Sequence, residues 1–353
     1  MTYRFPKFLF ALIGFVLVCV PVRAQLDFQS SSATPIVSKP RPSPVPARWR
    51  GLIGEYGENH DILYVLEKDG RLSLSFKRAQ PESLEQVSKT VFKFPAASSR
   101  LGPRVTFTTG SNGRAVKVEV DNVVFVRRQI EPELGANQLR VTPLRSVPEL
   151  IKEALAVEPP KESGDFRAPD LVELIKLDPT IKLEIRYATT NNLFGAVFYS
   201  QGRAFMQRPA AEALVRINKK LKQMGYGLLV HDAYRPWYVT KVFWDATPAD
   251  KKIFVADPSK GSRHNRGEAV DLTLYDLKTG KPIEMVSTYD ETTDRAYPDY
   301  PGGTSLQRWH RDLLRSAMEA DGFKVYEAEW WHFDYKDWQK YPIGNIRFEQ
   351  IGR

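Results

Sequence analysis

Ser262-Arg263-His264-Asn265-Arg266-Gly267-Glu268-Ala269-Val270-Asp271-Leu272-Thr273-Leu274 is the stretch that decides how this chain folds. From Glu268 the residues alternate, so a strand there sends Val270, Leu272 and Leu274 into a core and Ala269, Asp271 and Thr273 to the other face. Gly267 lets the preceding loop fold back, which allows the His264 imidazole and the Asp271 carboxylate to meet. Taken alone, a surface histidine and an ordinary polar strand residue are the commoner fate of such a pair. A second segment, Glu327-Ala328-Glu329-Trp330-Trp331-His332-Phe333-Asp334-Tyr335, shifts that balance. Its aromatic density predicts a strand. Positions three apart on a regular strand face opposite ways, so Glu329 and His332 share a site only if Glu329 sits in a bend or bulge at the strand entrance.

Two histidines and one carboxylate make a three-ligand catalytic zinc set with a fourth position for water, and a carboxylate outside the set can take a proton from that water. His264, Asp271 and His332 suit the ligand role and Glu329 that of the base. Glu-x-x-His is weak evidence by itself; its pairing with His-x(6)-Asp is what carries weight. A third segment, His231-Asp232-Ala233-Tyr234-Arg235-Pro236-Trp237, ends a core strand at a loop. Arg235 there either sets a permanent positive charge against a developing oxyanion or pairs with Asp232 at the surface.

Outward from these segments, apolar spacing and turn residues predict helices over 209–224, 237–246 and 305–320, a strand over 268–275 and a strand pair over 323–335. Strands and helices mix without a regular βαβ repeat, which favours α+β over a doubly wound sheet. Residues 48–145 read differently, as short alternating segments such as AVKVEV, with hairpins at Asp69-Gly70 and Asn112-Gly113. They predict a small all-β domain of unknown role, in which Val116, Val118 and Val120 face one way. A Ser/Pro-rich stretch over 25–47 is expected to be a disordered linker, and 146–165, centred on Pro159-Pro160, a second linker before a catalytic domain over 166–353.

Arg4 and Lys7 precede an apolar run from Phe8 to Val20 and then Val22-Arg23-Ala24, the pattern of a cleaved signal peptide over 1–24. The run is shorter than the roughly 20 residues that a spanning helix needs. Export to the periplasm or medium, with no stable membrane span after cleavage, is the expectation. The only cysteine, Cys19, lies in the run, so the mature chain has neither a disulfide nor a thiol nucleophile. Loss of Arg4, Lys7 and Arg23 lowers the formal charge of +9 by three, to +6. That balance suits anionic envelope polymers or is simply a solvated basic surface.

Together the three segments resemble the D-alanyl-D-alanine dipeptidase family of zinc peptidases, to which the vancomycin-resistance dipeptidase belongs. The resemblance runs from about Leu174 to Tyr335. It implies a zinc D,D-peptidase fold of the Hedgehog/DD-peptidase-like kind, with an antiparallel sheet and flanking helices. It also implies one Zn2+ on His264, Asp271 and His332, Glu329 as catalytic base and Arg235 at the oxyanion. Tyr187 and Asp290 match residues that hold the free amino end of the substrate, and Ser262 stands where a further substrate contact is expected. The implied reaction is hydrolysis of D-Ala-D-Ala in cell-wall peptide turnover. The implied partners are a D-amino-acid dipeptide and, secondarily, peptidoglycan, with no nucleic acid. A D,D- or L,D-carboxypeptidase or endopeptidase on the same fold is the nearest rival, and a wall-binding protein with a vestigial site is a more distant one.

Overall fold

The computed structural model describes residues 40–96, 104–130 and 140–351, all within one compact unit. The predicted signal peptide and most of the 25–47 linker lie outside the described residues. Val45, at the end of that linker, is buried against Trp49 of α1 (Ala47–Arg50) and the strands that follow.

Two antiparallel sheets come next. The first orders β1 (Gly54–Tyr56), β2 (Leu63–Lys68), β3 (Arg71–Phe76) and β4 (Glu82–Ser83). The second orders β5 (Glu85–Gln86), β6 (Val91–Lys93), β7 (Arg104–Thr109), β8 (Ala115–Val120) and β9 (Val123–Val126). They share a core that includes Tyr56, Val65, Leu72, Phe92, Phe107 and Val118. Asp69-Gly70 closes β2 on β3 with both residues at positive φ (51° and 79°), the turn whose twist matches that of paired strands. Asn112-Gly113 lies in the β7–β8 turn, and Asp121-Asn122 closes a third hairpin that the pattern had not marked. Val116 departs from the expected alternation and is 47% exposed. A bulge between Thr108 and Thr109 shifts the register, so Ala115 takes the inward place while Val118 and Val120 stay buried.

The stretch expected to be a linker from 146 carries a helix, α2 (Val147–Ala154). Val147, Leu150 and Ala154 lie on one face and enter the main core, and the neighbouring proline, Pro148, sits in the first turn, where it costs no helical hydrogen bond. Val141, assigned by sequence to the β region, is likewise buried in that main core.

The main core surrounds a five-stranded sheet ordered β11 (Lys182–Leu183), β13 (Tyr226–Asp232), β14 (Ala269–Asp276), β16 (Glu329–Tyr335) and β15 (Phe323–Tyr326). Only the β11–β13 pair is parallel. β10 (Leu171–Glu173), leading into α3 (Leu174–Leu177), pairs with β12 (Phe205–Gln207) in a small separate sheet. This mixture of helices and mainly antiparallel sheets is α+β. α4 (Arg208–Lys222) buries Ala210, Leu214, Ile217 and Leu221 and stops before Gly225, whose φ of 86° ends the helix. α5 (Trp237–Ala246) follows Pro236, and α6 (Ser305–Glu319) starts with a Thr304–Gln307 capping box. Val270, Leu272 and Leu274 are fully buried with Leu214 and Leu313. Asp271 and Thr273, on the opposite face, are also buried, so that face is a lined cavity rather than an open surface.

The strand-rich half is fastened to α6 and the loop before it by polar contacts. The Glu67 carboxylate accepts from the Ser305 backbone N–H (2.7 Å), and the Tyr300 hydroxyl donates to Glu55 (2.8 Å).

Candidate metal centre and active site

In the sheet ladder Asp271 lies opposite Asp232 on one side and His332 on the other, so three adjacent strands present these side chains together. His264 arrives from a single turn of 3-10 helix, Arg263–Arg266, which Ser262 caps through its hydroxyl and Gly267 ends in the left-handed region (φ 71°). An added Cβ at Gly267 would also crowd a Leu171 methyl, but it is the left-handed backbone that calls for glycine. The structure thus brings His264, Asp271 and His332 together, with one donor atom of each within 4.8 Å of the others, all three residues buried.

The outer nitrogens decide what the inner ones can do. His264 Nδ1 donates to the Ala233 carbonyl (2.7 Å) and His332 Nε2 donates to Asp334 (3.0 Å). Each ring then turns its other nitrogen inward, His264 Nε2 facing His332 Nδ1 at 3.2 Å. Asp271 adds carboxylate oxygens 2.9 Å from His332 Nδ1 and 3.5 Å from His264 Nε2. Three electron-rich groups aimed at one point need a cation between them. Burial alone would lower the pKa of His332, yet its hydrogen bonds to Asp271 and Asp334 raise it to about 10. The nitrogen-rich donor set, with both tautomers fixed from outside, fits a transition-metal ion.

Glu329 stands next to this centre because of a bulge. Val325 pairs with Phe333, but Tyr326 pairs with Glu329, so Trp330 to His332 form the extra residues of the bulge on β16. The sequence had required such a bend, and it puts Glu329 Oε2 3.8 Å from His332 Nδ1. Burial and the Asp271 charge push the Glu329 pKa upward, against the pull of His332, His264 and Arg235.

Arg235 is buried, and Asp232 holds it through Nε (3.0 Å) and Nη2 (2.7 Å). The pair anticipated at the surface is therefore an internal brace, completed by the Tyr199 hydroxyl donating to Asp232 (2.7 Å). Arg235, Tyr187, Asp290, Ser262, Glu329 and the three donors all line one pocket of about 310 Å³. Tyr187 donates to Asp290 (3.1 Å), and Asp290 holds a left-handed φ of 60°, which is strained for a residue with a Cβ. Burial, with Asp271 and Glu329 nearby, pushes its pKa up to about 8. A carboxylate so placed calls for a cationic partner. The Ser262 hydroxyl is spent on its cap, accepting from His264 N (3.2 Å).

Sequence reasoning missed three contributors. Tyr289 donates to Asp271 Oδ2 (3.0 Å) from a loop that carries no pattern. Asp334 follows His332 by two positions on the same strand face, a signal that was readable, and it also pairs with Arg263, beside His264. Asn265 bonds the Arg235 carbonyl (2.8 Å) and so ties the histidine turn to the arginine loop. Asp334→Asn is expected to weaken metal binding by about 10–100-fold while the fold persists, read by chelator competition. Unchanged affinity would deny Asp334 a part in orienting His332.

A family model described as D-ala-D-ala dipeptidase matches residues 167–349, just over half of the chain. The chain belongs to the D-ala-D-ala dipeptidase family. That family is one of metallopeptidases, in keeping with the His-Asp-His cluster. Similar proteins include the D-alanyl-D-alanine dipeptidase of Escherichia coli (strain K12), 33% identical over 174 residues, 49% of this chain and 89% of the relative. That of Enterococcus faecium is 34% identical over 186 residues, 48% of this chain and 92% of the relative. That of Streptomyces coelicolor is 32% identical over 193 residues, 50% of this chain and 93% of the relative. Strands β1–β9 fall outside the family match.

Proposed function

We propose that this chain is an exported zinc D,D-dipeptidase that hydrolyses D-Ala-D-Ala in cell-wall peptide turnover. The catalytic part, in this reading, is a zinc D,D-peptidase domain of the Hedgehog/DD-peptidase-like kind that follows a small all-β domain. Export to the periplasm or medium rests on the charged and apolar pattern of residues 1–24. The observation that carries the reading is a single pocket holding the His264, Asp271 and His332 donors, Glu329 and the Asp290–Tyr187 pair.

His264 Nε2, Asp271 and His332 Nδ1 would hold the zinc ion, which when bound supplies Lewis acidity toward the scissile carbonyl and toward water. Glu329 takes the proton of the attacking water at a carboxylate oxygen and returns it to the departing amine, and its raised pKa suits the second transfer. Arg235, braced by Asp232, sets a fixed positive charge against the oxygen that turns negative as the carbonyl carbon becomes tetrahedral. Asp290 and Tyr187 hold the free ammonium of the dipeptide, and Ser262 adds a wall of the pocket.

The free amino group is what separates a dipeptidase from a carboxypeptidase. D-Ala-D-Ala should be turned over, while its N-acetyl form should lose about 100-fold or more in kcat/KM, since the half-buried Asp290 is left without its cation. Asp290→Asn should narrow the gap between the two substrates. Equal turnover of both by the unaltered protein would favour a carboxypeptidase acting on longer stem peptides.

A further inference from the structure

A second cavity, of about 600 Å³, lies between the strand-rich half and the peptidase sheet and is roughly twice the size of the catalytic pocket. Arg50, Ile53 and Arg114 wall it on one side, and His231, Thr273 and His310 on the other. The first three precede residue 167, where the family match begins, so this wall is an addition to the family domain.

The cavity contains polar groups that the protein leaves unanswered. Thr273 Oγ1, His310 Nδ1 and Arg186 Nε are buried and have no hydrogen-bond partner among the described residues. Thr273 and His310 are 5% and 4% exposed. Such groups are costly to bury unpaired, and three around one space of this size describe a site shaped for a polar ligand. Burial and the nearby Arg41 lower the His310 pKa to about 4, which leaves that ring neutral and able to donate or accept.

The lining carries four arginines against three acids, an excess of one positive charge. Arg50, Arg114, Arg186 and Arg295 face the cavity, and Arg50 has no ion pair among the described residues. Three acids share the lining: Glu184 pairs with Arg186 (3.3 Å), while Glu284 accepts from the Gln307 amide (2.8 Å) and Asp276 from Thr279 N (2.7 Å), both neutral donors; Arg295 pairs with Glu291 (3.4 Å). Ile53, Ile283 and Leu306 add apolar wall, which a peptide covers and a bare anion does not.

The two cavities share a partition. Arg186 and Tyr289 face the larger one, while their chain neighbours Tyr187 and Asp290 line the catalytic pocket. Tyr289 also donates to Asp271. We propose that the larger cavity is a second binding site, for a short peptide bearing free carboxylates, and that its occupancy acts on the catalytic pocket through this partition. The site stands whichever dipeptide the catalytic pocket takes.

The test is calorimetric titration of the zinc-loaded full chain with tri-D-glutamate, tri-D-alanine amide and tri-D-lysine. Tri-D-glutamate should bind saturably and at least tenfold more tightly than the other two, and it should still bind when D-Ala-D-Ala fills the catalytic pocket of a Glu329→Ala chain. Arg50→Ala, on an exposed position, and Leu306→Trp, which fills the cavity, should each weaken that binding at least tenfold while leaving D-Ala-D-Ala turnover without peptide unchanged. Bound tri-D-glutamate should change KM for D-Ala-D-Ala. The proposal is overturned by no saturable binding, by equal binding of the uncharged tripeptide, by displacement with D-Ala-D-Ala, by binding that both variants leave intact or by a KM for D-Ala-D-Ala that bound tri-D-glutamate leaves unchanged. None of the binding arms needs hydrolysis, so they separate failure of this site from failure of the proposed activity.

Discussion

Glu329→Ala is expected to lower kcat for D-Ala-D-Ala by about 10³-fold, a loss of about 4 kcal/mol of transition-state stabilisation, while one metal ion per chain remains bound. Glu329 reaches within 3.8 Å of His332 but is not one of the three residues whose donors converge, so its loss removes a proton carrier and leaves the metal cage whole. Although the pocket walls desolvate its carboxylate, its side chain is 37% exposed, so truncation opens no core cavity and the melting temperature should move little. Turnover and metal content measured on the same preparation check this. A variant retaining more than about a tenth of the activity would take Glu329 out of the proton transfer.

Asp271→Ala should have the opposite signature. Metal content falls with activity, because the buried carboxylate is the only anionic donor in the cage and both histidine nitrogens lean on it. Affinity should drop by more than the roughly 100-fold at the upper end for partners one shell further out, and turnover at trace zinc by about 10³-fold or more. Tyr289 also loses its acceptor, so the partition with the second cavity should loosen. Chelator competition and circular dichroism on the same sample separate metal loss from unfolding. A folded variant that binds metal as tightly as the parent would remove Asp271 from the cage.

What the sequence disclosed followed from local rules. The α5 boundaries are legible because Pro236 sets the start and the apolar run stops at Ala246. The bend before His332 was forced by parity: Glu329 and His332, three apart, share a site only if the strand is broken, and the register shift after Val325 breaks it. Gly267 in the left-handed region was implied by a loop that had to return His264 to the strand. What stayed hidden depends on contacts between distant segments. Tyr289 reaches Asp271 from an irregular loop. Asp232 looked like a surface partner because its burial is created by Tyr199 and the neighbouring strand. α2 was masked by its own Pro148 and by Pro159-Pro160 downstream, although Val147, Leu150 and Ala154 carry helical spacing. The large cavity could not be read at all, since its walls come from stretches as distant as Arg50 and His310.

Anomalous diffraction at the zinc edge, on crystals grown with equimolar zinc, tests the account most directly. A single peak about 2.0–2.2 Å from His264 Nε2, His332 Nδ1 and an Asp271 oxygen is the predicted result. A peak elsewhere, or none at these three side chains, would contradict it.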